Sequence, residues 1–168
     1  MFVPGGDSSR ISQTIIDGNG SGPVVTFAND EGSGAVLSGF TITGGSAEKG
    51  GGIYVKNASP TLTNLVIELN STVNCEVGEY FGNGQGGGIY LESSESLLQH
   101  VLVDSNTSAI EGGGIFAKNS TLELNSVIVN GNTSVNYGGG LYFASTKGEF
   151  YQSAITYNTR ERGCGAFL

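Results

Sequence analysis

Four glycine triplets and four asparagines, held at one fixed separation, constrain this chain more than any other feature. Gly50-Gly51-Gly52, Gly86-Gly87-Gly88, Gly112-Gly113-Gly114 and Gly138-Gly139-Gly140 are each followed, 20 residues after the first glycine, by Asn70, Asn106, Asn132 and Asn158. A degenerate copy, Gly163-Cys164-Gly165, stands near the end. Read backwards, the same slot falls on Gly45 and Asn19, so successive slots lie 26, 25, 36, 26 and 26 residues apart. The long interval is one repeat carrying a loop insertion over 73–82. Self-similarity at a period of 20–50 residues marks a solenoid, in which no repeat can bury its apolar face alone.

Sorting positions by their offset from the slot separates an interior from an exterior. Eight residues before it stand Ile11, Leu37, Leu62, Leu98, Leu124 and Phe150. Five before it stand Thr14, Phe40, Leu65, Val101, Val127 and Ser153, and three before it Ile16, Ile42, Ile67, Val103, Val129 and Ile155. Ile53, Ile89, Ile115 and Leu141 follow the triplets, with Val55, Leu91, Ala117 and Phe143 two positions on. Parallel strands stacked about 4.8 Å apart would turn each such set into a ladder of like side chains. Composition agrees: 29 of 168 residues are Gly and only 13% are charged, and no window sustains a 3.6-residue apolar period. The expected fold is all-β, a right-handed parallel β-helix of about six rungs of ~26 residues with three short strands per rung. Residues 1–168 then form one domain. No capping helix is expected at either end, so the chain reads as a segment of a longer protein or one that stacks end to end with a second copy.

The Gly-Gly-Gly-Ile-Tyr/Phe runs followed by an Asn-Ser/Thr turn resemble the Gly-Gly-Ala-Ile and Phe-X-X-Asn repeats of chlamydial polymorphic outer-membrane proteins. ThrIleIleAspGlyAsnGly and LeuSerGlyPheThrIleThrGlyGly, near the start, are similar to bacterial right-handed β-helix repeat proteins, a group that includes pectate-lyase-like folds. The resemblance covers residues 11–168. It departs from the chlamydial pattern where Phe is expected, since Ile67, Val103, Val129 and Ile155 stand there. It implies a secreted or cell-surface bacterial protein and specifies no activity, because a fold does not fix function.

Charge excludes one class of partner. A net charge of −8 with seven scattered Lys and Arg cannot supply the clustered cations that nucleic acid requires. No apolar run is long enough to span a membrane. No signal peptide is visible in this chain, which opens Met1-Phe2-Val3-Pro4. Cys75 and Cys164 form neither a disulfide framework nor a metal motif. The Asn-Xaa-Ser/Thr matches at Asn19, Asn57, Asn70, Asn106, Asn119 and Asn132 read as turn chemistry imposed by the repeat.

Candidate functional residues lie on outward columns. Tyr54, Tyr90, Phe116 and Tyr142, with Phe167 a further copy, alternate outward beside the glycine corner. They would form either a structural aromatic stack or a platform for sugar rings or a protein partner. Glu68 and Asp104 share a polar column on adjacent rungs with Asp17, Thr43, Asn130 and Thr156. At about 5 Å their carboxyl groups fit a retaining glycosidase or a Ca²⁺ site, and equally the incidental neighbours of an acidic surface. The insertion adds Glu76, Glu79, Tyr80 and Phe81 nearby, Tyr80 being a further binding candidate. His100, the single histidine, sits among Gln13, Gly39, Asn64, Ser126 and Gln152 and reads as a solvated outward residue. Four before the slot, Ile15, Thr41, Val66, Leu102, Ile128 and Ala154 put apolar side chains on a nominally outward face. Such a column calls for a covering segment or a homo-oligomeric contact. The expected function is a structural or ligand-binding module taking a polysaccharide or surface protein, with no cofactor required beyond an optional Ca²⁺ at Glu68 and Asp104. The alternative is a polysaccharide lyase or glycoside hydrolase using those two carboxylates beside the insertion.

Overall fold

Along one rung of the computed structural model, which describes residues 8–73 and 83–161, inward side chains follow one another in two-residue steps. A three-residue step replaces them wherever the backbone turns left-handed. Ile53, Val55, Ala58, Pro60, Leu62, Leu65, Ile67, Asn70 and Thr72 are all buried, and Asn57, Asn64 and Leu69 carry φ of 50°, 50° and 56°. The next rung repeats the scheme with Ser93, His100 and Ser105, and the one after with Asn119, Ser126 and Gly131. A left-handed residue reverses the alternation of a strand, so each one bends the chain and restores the inward phase. The first glycine of every triplet supplies a fourth such corner, at φ of 60–67°.

About five turns stack in this way, forming three parallel sheets. The longest contains Ile15–Asp17, Val36–Ser38, Thr41–Thr43, Thr61–Glu68, Glu95–Asp104, Thr121–Asn125, Ile128–Asn130, Lys147–Tyr151 and Ala154–Thr156. A second is built from Val25–Phe27, Ile53–Lys56, Ile89–Glu92, Ile115–Lys118 and Leu141–Ala144. The third consists of two-residue strands: Ser46–Ala47, Ser71–Thr72, Thr107–Ser108, Thr133–Ser134 and Thr159–Arg160. This differs from the expected three strands per rung in two respects. The strands on the Leu column and before the Asn slot belong to one sheet and fuse in two rungs, while the short strand after the Asn slot is additional. Registers join like to like, for example Ile89 to Ile53 and Ile115, and Leu98 to Leu62 and Leu124.

The asparagine column is the polar spine of the interior. Asn70, Asn106 and Asn132 are at most 1% exposed. Asn106 Oδ1 accepts from the Asn70 backbone N–H and from Asn70 Nδ2, each at 3.0 Å. Its Nδ2 lies 2.9 Å from Ile67 O, 3.1 Å from Asp104 O and 3.0 Å from Asn132 Oδ1. Asn132 repeats the pattern against Asn158, and at the other end the Gly45 N–H donates to Asn70 Oδ1 at 2.9 Å. The left-handed residue is the one before the asparagine, not the asparagine itself, because the amide must point inward to bond. At Asn19 the ladder has not begun: that residue is exposed, at φ 49°, and its N–H bonds Asp17 Oδ1.

The triplets are glycine because these amides and the neighbouring rung fill the space a side chain would need. A Cβ on Gly114 would lie 2.7 Å from Gly140 O and 3.0 Å from Asn132 Nδ2. On Gly113 it would lie 2.3 Å from both Gly139 O and Thr133 O. The constant 20-residue separation is thus a contact between two parts of one rung.

Volumes elsewhere in the core compensate from rung to rung. Ala117 shares its rung with Leu122, whereas the bulkier Phe143 is matched by Gly148, where a Cβ would come within 2.5 Å of the Phe143 ring. Buried hydroxyls are satisfied: Ser94 and Ser96 pair at 2.7 Å, and the Ser94 N–H donates to Ser120 Oγ. In the last described rung the cover thins, leaving Phe150 39% and Ile155 40% exposed.

The first residues depart from the expected register. Ile11 is not part of the interior Leu column. It ends a four-residue helix, Ser8–Ile11, and packs outside the long sheet against Val66 and Leu102, which are 5% and 6% exposed. Thr14, expected inside, is exposed. Thr41 Oγ1 donates to Ile11 O at 2.9 Å and anchors the segment. The middle of the outward apolar column is therefore covered from within the chain, although Ile15 remains 56% exposed.

Asn106→Ala should cost at least about 3 kcal/mol in urea unfolding, because it orphans several buried donors and acceptors at once; a loss below about 1 kcal/mol would contradict the ladder. Gly148→Ala should cost about 1–3 kcal/mol by overpacking. In a Phe143→Leu background that cost should largely vanish, which a double-mutant cycle measures directly.

Candidate functional site

The aromatic column forms a continuous stack. Centroids of Tyr54, Tyr90, Phe116 and Tyr142 lie 5.4, 5.2 and 5.3 Å apart, with interplanar angles of 5°, 1° and 7°. Although it stands on the outer side of its sheet, Tyr90 is 1% and Phe116 4% exposed. A second outer column, Lys49, Gln85, Glu111 and Tyr137, runs beside the rings in parallel bridges. Lys49 Nζ lies 5.1 Å from the Tyr90 ring centroid, a cation–π contact. The Tyr90 hydroxyl donates to Glu92 Oε2 at 3.0 Å. Burial first, and then the Glu92 charge, raise its pKa far above that of a free phenol. The faces of Tyr90 and Phe116 are occupied by their neighbours, so among the described residues the exposed parts of this column are on Tyr54 and Tyr142. A shallow depression of about 290 Å³ opens at Tyr54 beside Pro23, Glu48 and Lys49.

Glu68 and Asp104 are register partners on adjacent strands, as the spacing implied. Asp104 is tied sideways: Ser105 Oγ donates to its Oδ2 at 2.8 Å and Asn130 Nδ2 to its Oδ1. Thr156 Oγ1 in turn donates to Asn130 Oδ1, so the column continues as a polar ladder. Among the described residues no three His, Cys, Asp or Glu side chains gather to hold a metal. A Ca²⁺ ion at this pair would need most of its six to eight oxygen ligands from elsewhere. Tyr80, Glu76, Glu79 and Phe81 of the insertion, Cys75, Cys164 and Phe167 lie outside the described residues. His100 is half-buried and holds a left-handed corner at φ 53°, together with Gly39, Asn64, Ser126 and Gln152. Its column is a backbone corner more than a plain solvated face.

A second carboxylate pair escaped the sequence reading. Glu123 and Glu149 are register partners on the outer face of the long sheet, with Thr121–Lys147 and Asn125–Tyr151 flanking them. Lys147 Nζ meets Glu149 Oε1 at 2.6 Å and the Tyr151 hydroxyl donates to Glu149 Oε2 at 2.9 Å. An open groove of about 540 Å³ runs over Glu123, Asn125, Phe150, Tyr151 and Gln152. The signal available in the sequence was alternation within ThrLeuGluLeuAsn and LysGlyGluPheTyr, whose odd positions align across the 26-residue repeat.

No protein-family model, curated protein or solved structure matches this chain.

Glu111 yields a pH prediction. Burial raises its pKa above the ordinary 4.5, and a hydrogen bond from Gln85 opposes this only in part. The folded state therefore prefers the protonated acid. Stability is greatest below the unfolded pKa, falls as pH rises through the raised folded value, and is constant above it. Glu111→Gln should raise the unfolding midpoint at pH 7 and leave it little changed at pH 4; equal shifts at both pH values would contradict the assignment.

Proposed function

We propose that this chain is a structural and ligand-binding β-helix module of a secreted or cell-surface bacterial protein, taking a polysaccharide or a surface protein and performing no catalysis of its own. The observation that carries this reading is how the repeated side chains are used. The asparagines bond one another, and the aromatics stack on one another. Even the outward carboxylate Asp104 is drawn into a rung-to-rung polar ladder. Each Asp104 oxygen accepts a hydrogen bond from a neighbouring side chain, which fixes the carboxylate within that ladder. Residues that do not repeat are left to vary on the outer face of the long sheet, as expected of a scaffold that displays a binding surface.

The enzymatic alternative keeps one supporting observation, the register pairing of Glu68 with Asp104 at a spacing suited to glycosidic chemistry. A glycan array combined with assays for reducing ends and unsaturated products separates the two readings. Binding without turnover is expected, unchanged in Glu68→Gln. Turnover that Glu68→Gln abolishes would overturn the proposal.

A further inference from the structure

Most conspicuous side chains of this fold are explained by self-stacking, but the grid on the outer face of the last rungs of the long sheet is not. There Thr121, Glu123 and Asn125 stand in register with Lys147, Glu149 and Tyr151, about 4.8 Å apart as neighbouring parallel strands. Tyr151 is 50% exposed, and Glu123 and Gln152 are exposed beside it. Its hydroxyl is fixed by Glu149, which Lys147 holds in turn. The ring is thereby oriented by a hydrogen-bonded chain, unlike a freely rotating surface tyrosine.

We propose that the groove over Glu123, Asn125, Tyr151 and Gln152 is a subsite for a neutral pyranose unit of an oligosaccharide. The inference rests on the module reading above and names its ligand class and place. A pyranose presents a face of C–H bonds and a rim of hydroxyls. The first suits an exposed aromatic ring, the second suits carboxylate acceptors and amide groups that both donate and accept. The open volume of about 540 Å³ falls in the range of small-ligand sites, ~300–1,000 Å³. Charge selects among sugars: Glu123 lines the groove, and the adjacent cation, Lys147, is already paired with Glu149. An anionic uronate would meet uncompensated repulsion there, whereas a neutral hexose or pentose would not. In this arrangement Tyr151 contacts the ligand and Glu149 is a positioning residue.

Calorimetric titration of the chain with neutral hexasaccharides (gluco-, xylo-, manno- and N-acetylglucosamine series) tests this, with hexagalacturonate as the anionic control. At least one neutral series should bind while hexagalacturonate does not. Tyr151→Ala should weaken that binding roughly tenfold, the loss of about 1.4 kcal/mol. Tyr151→Phe keeps the ring face but loses its tether to Glu149, so it should weaken binding by less than Tyr151→Ala, and Tyr54→Ala, at a different shallow depression, should leave it unchanged. Circular dichroism melts verify that each variant keeps its fold. Binding that survives Tyr151→Ala undiminished, a preference for hexagalacturonate, or no binding of any neutral series at millimolar concentration would overturn the subsite. Of these, binding that persists elsewhere on the chain leaves the module reading standing; only turnover would remove both.

Discussion

A buried amide ladder pressed against a wall of glycines holds this solenoid in register. Each asparagine brings a polar group into the core, which would cost several kcal/mol if left unpaired. The cost is offset because every rung supplies the acceptor for its neighbour's donors and caps carbonyls that the strand corner would otherwise orphan. The amides fit only because the third glycine of each triplet has no side chain: in four successive rungs a Cβ there would sit within 3.0 Å of the asparagine. Each element makes the other necessary. A one-residue slip would separate amide from glycine and bury unpaired groups at once, which is why the repeat tolerates a loop insertion between slots but not within this contact.

The remaining features follow from the corners. Four left-handed positions per rung re-phase the strands, and glycine, asparagine or serine occupies most of them because these residues tolerate that conformation. Leu69, His100, Gln152 and Tyr157 are exceptions, holding the geometry against their intrinsic preference because the rungs stacked against them impose it. On the outer side, aromatic rings stack at the rung spacing, and Lys49, Gln85 and Glu111 line up beside them in the neighbouring column. This is the second continuous ladder of the structure, and it buries rings that simple alternation places in solvent.

Much of this was legible in the chain. The Leu, Ile and Val columns read from offsets are the buried core, and the interval of three between the columns eight and five before the asparagine already encoded the left-handed residue between them. What escaped was governed by context beyond the repeat. Ile11 matches the Leu column by arithmetic, yet it lies on the outside because the first turn is helical and the outward Val66 and Leu102 offer an apolar seat. Ser96 and Leu122 share one inward column, and its mixed chemistry hid it from an apolar search. The Glu123–Glu149 pair stands nine residues before the asparagine, on the preceding strand, beyond the left-handed corner that separates it from the column holding Glu68 and Asp104. Alternation counted through a left-handed corner gives the wrong face, and counted from the corner it gives the right one.

The ladder can be tested without mutation. Hydrogen exchange of assigned asparagine carboxamide protons, followed by NMR, reads whether these groups are bonded in the interior. The side-chain amides of Asn70, Asn106 and Asn132 should exchange orders of magnitude more slowly than those of the exposed Asn57 and Asn119. Equal exchange rates for the two groups would contradict the claim that the asparagine spine holds the rungs together.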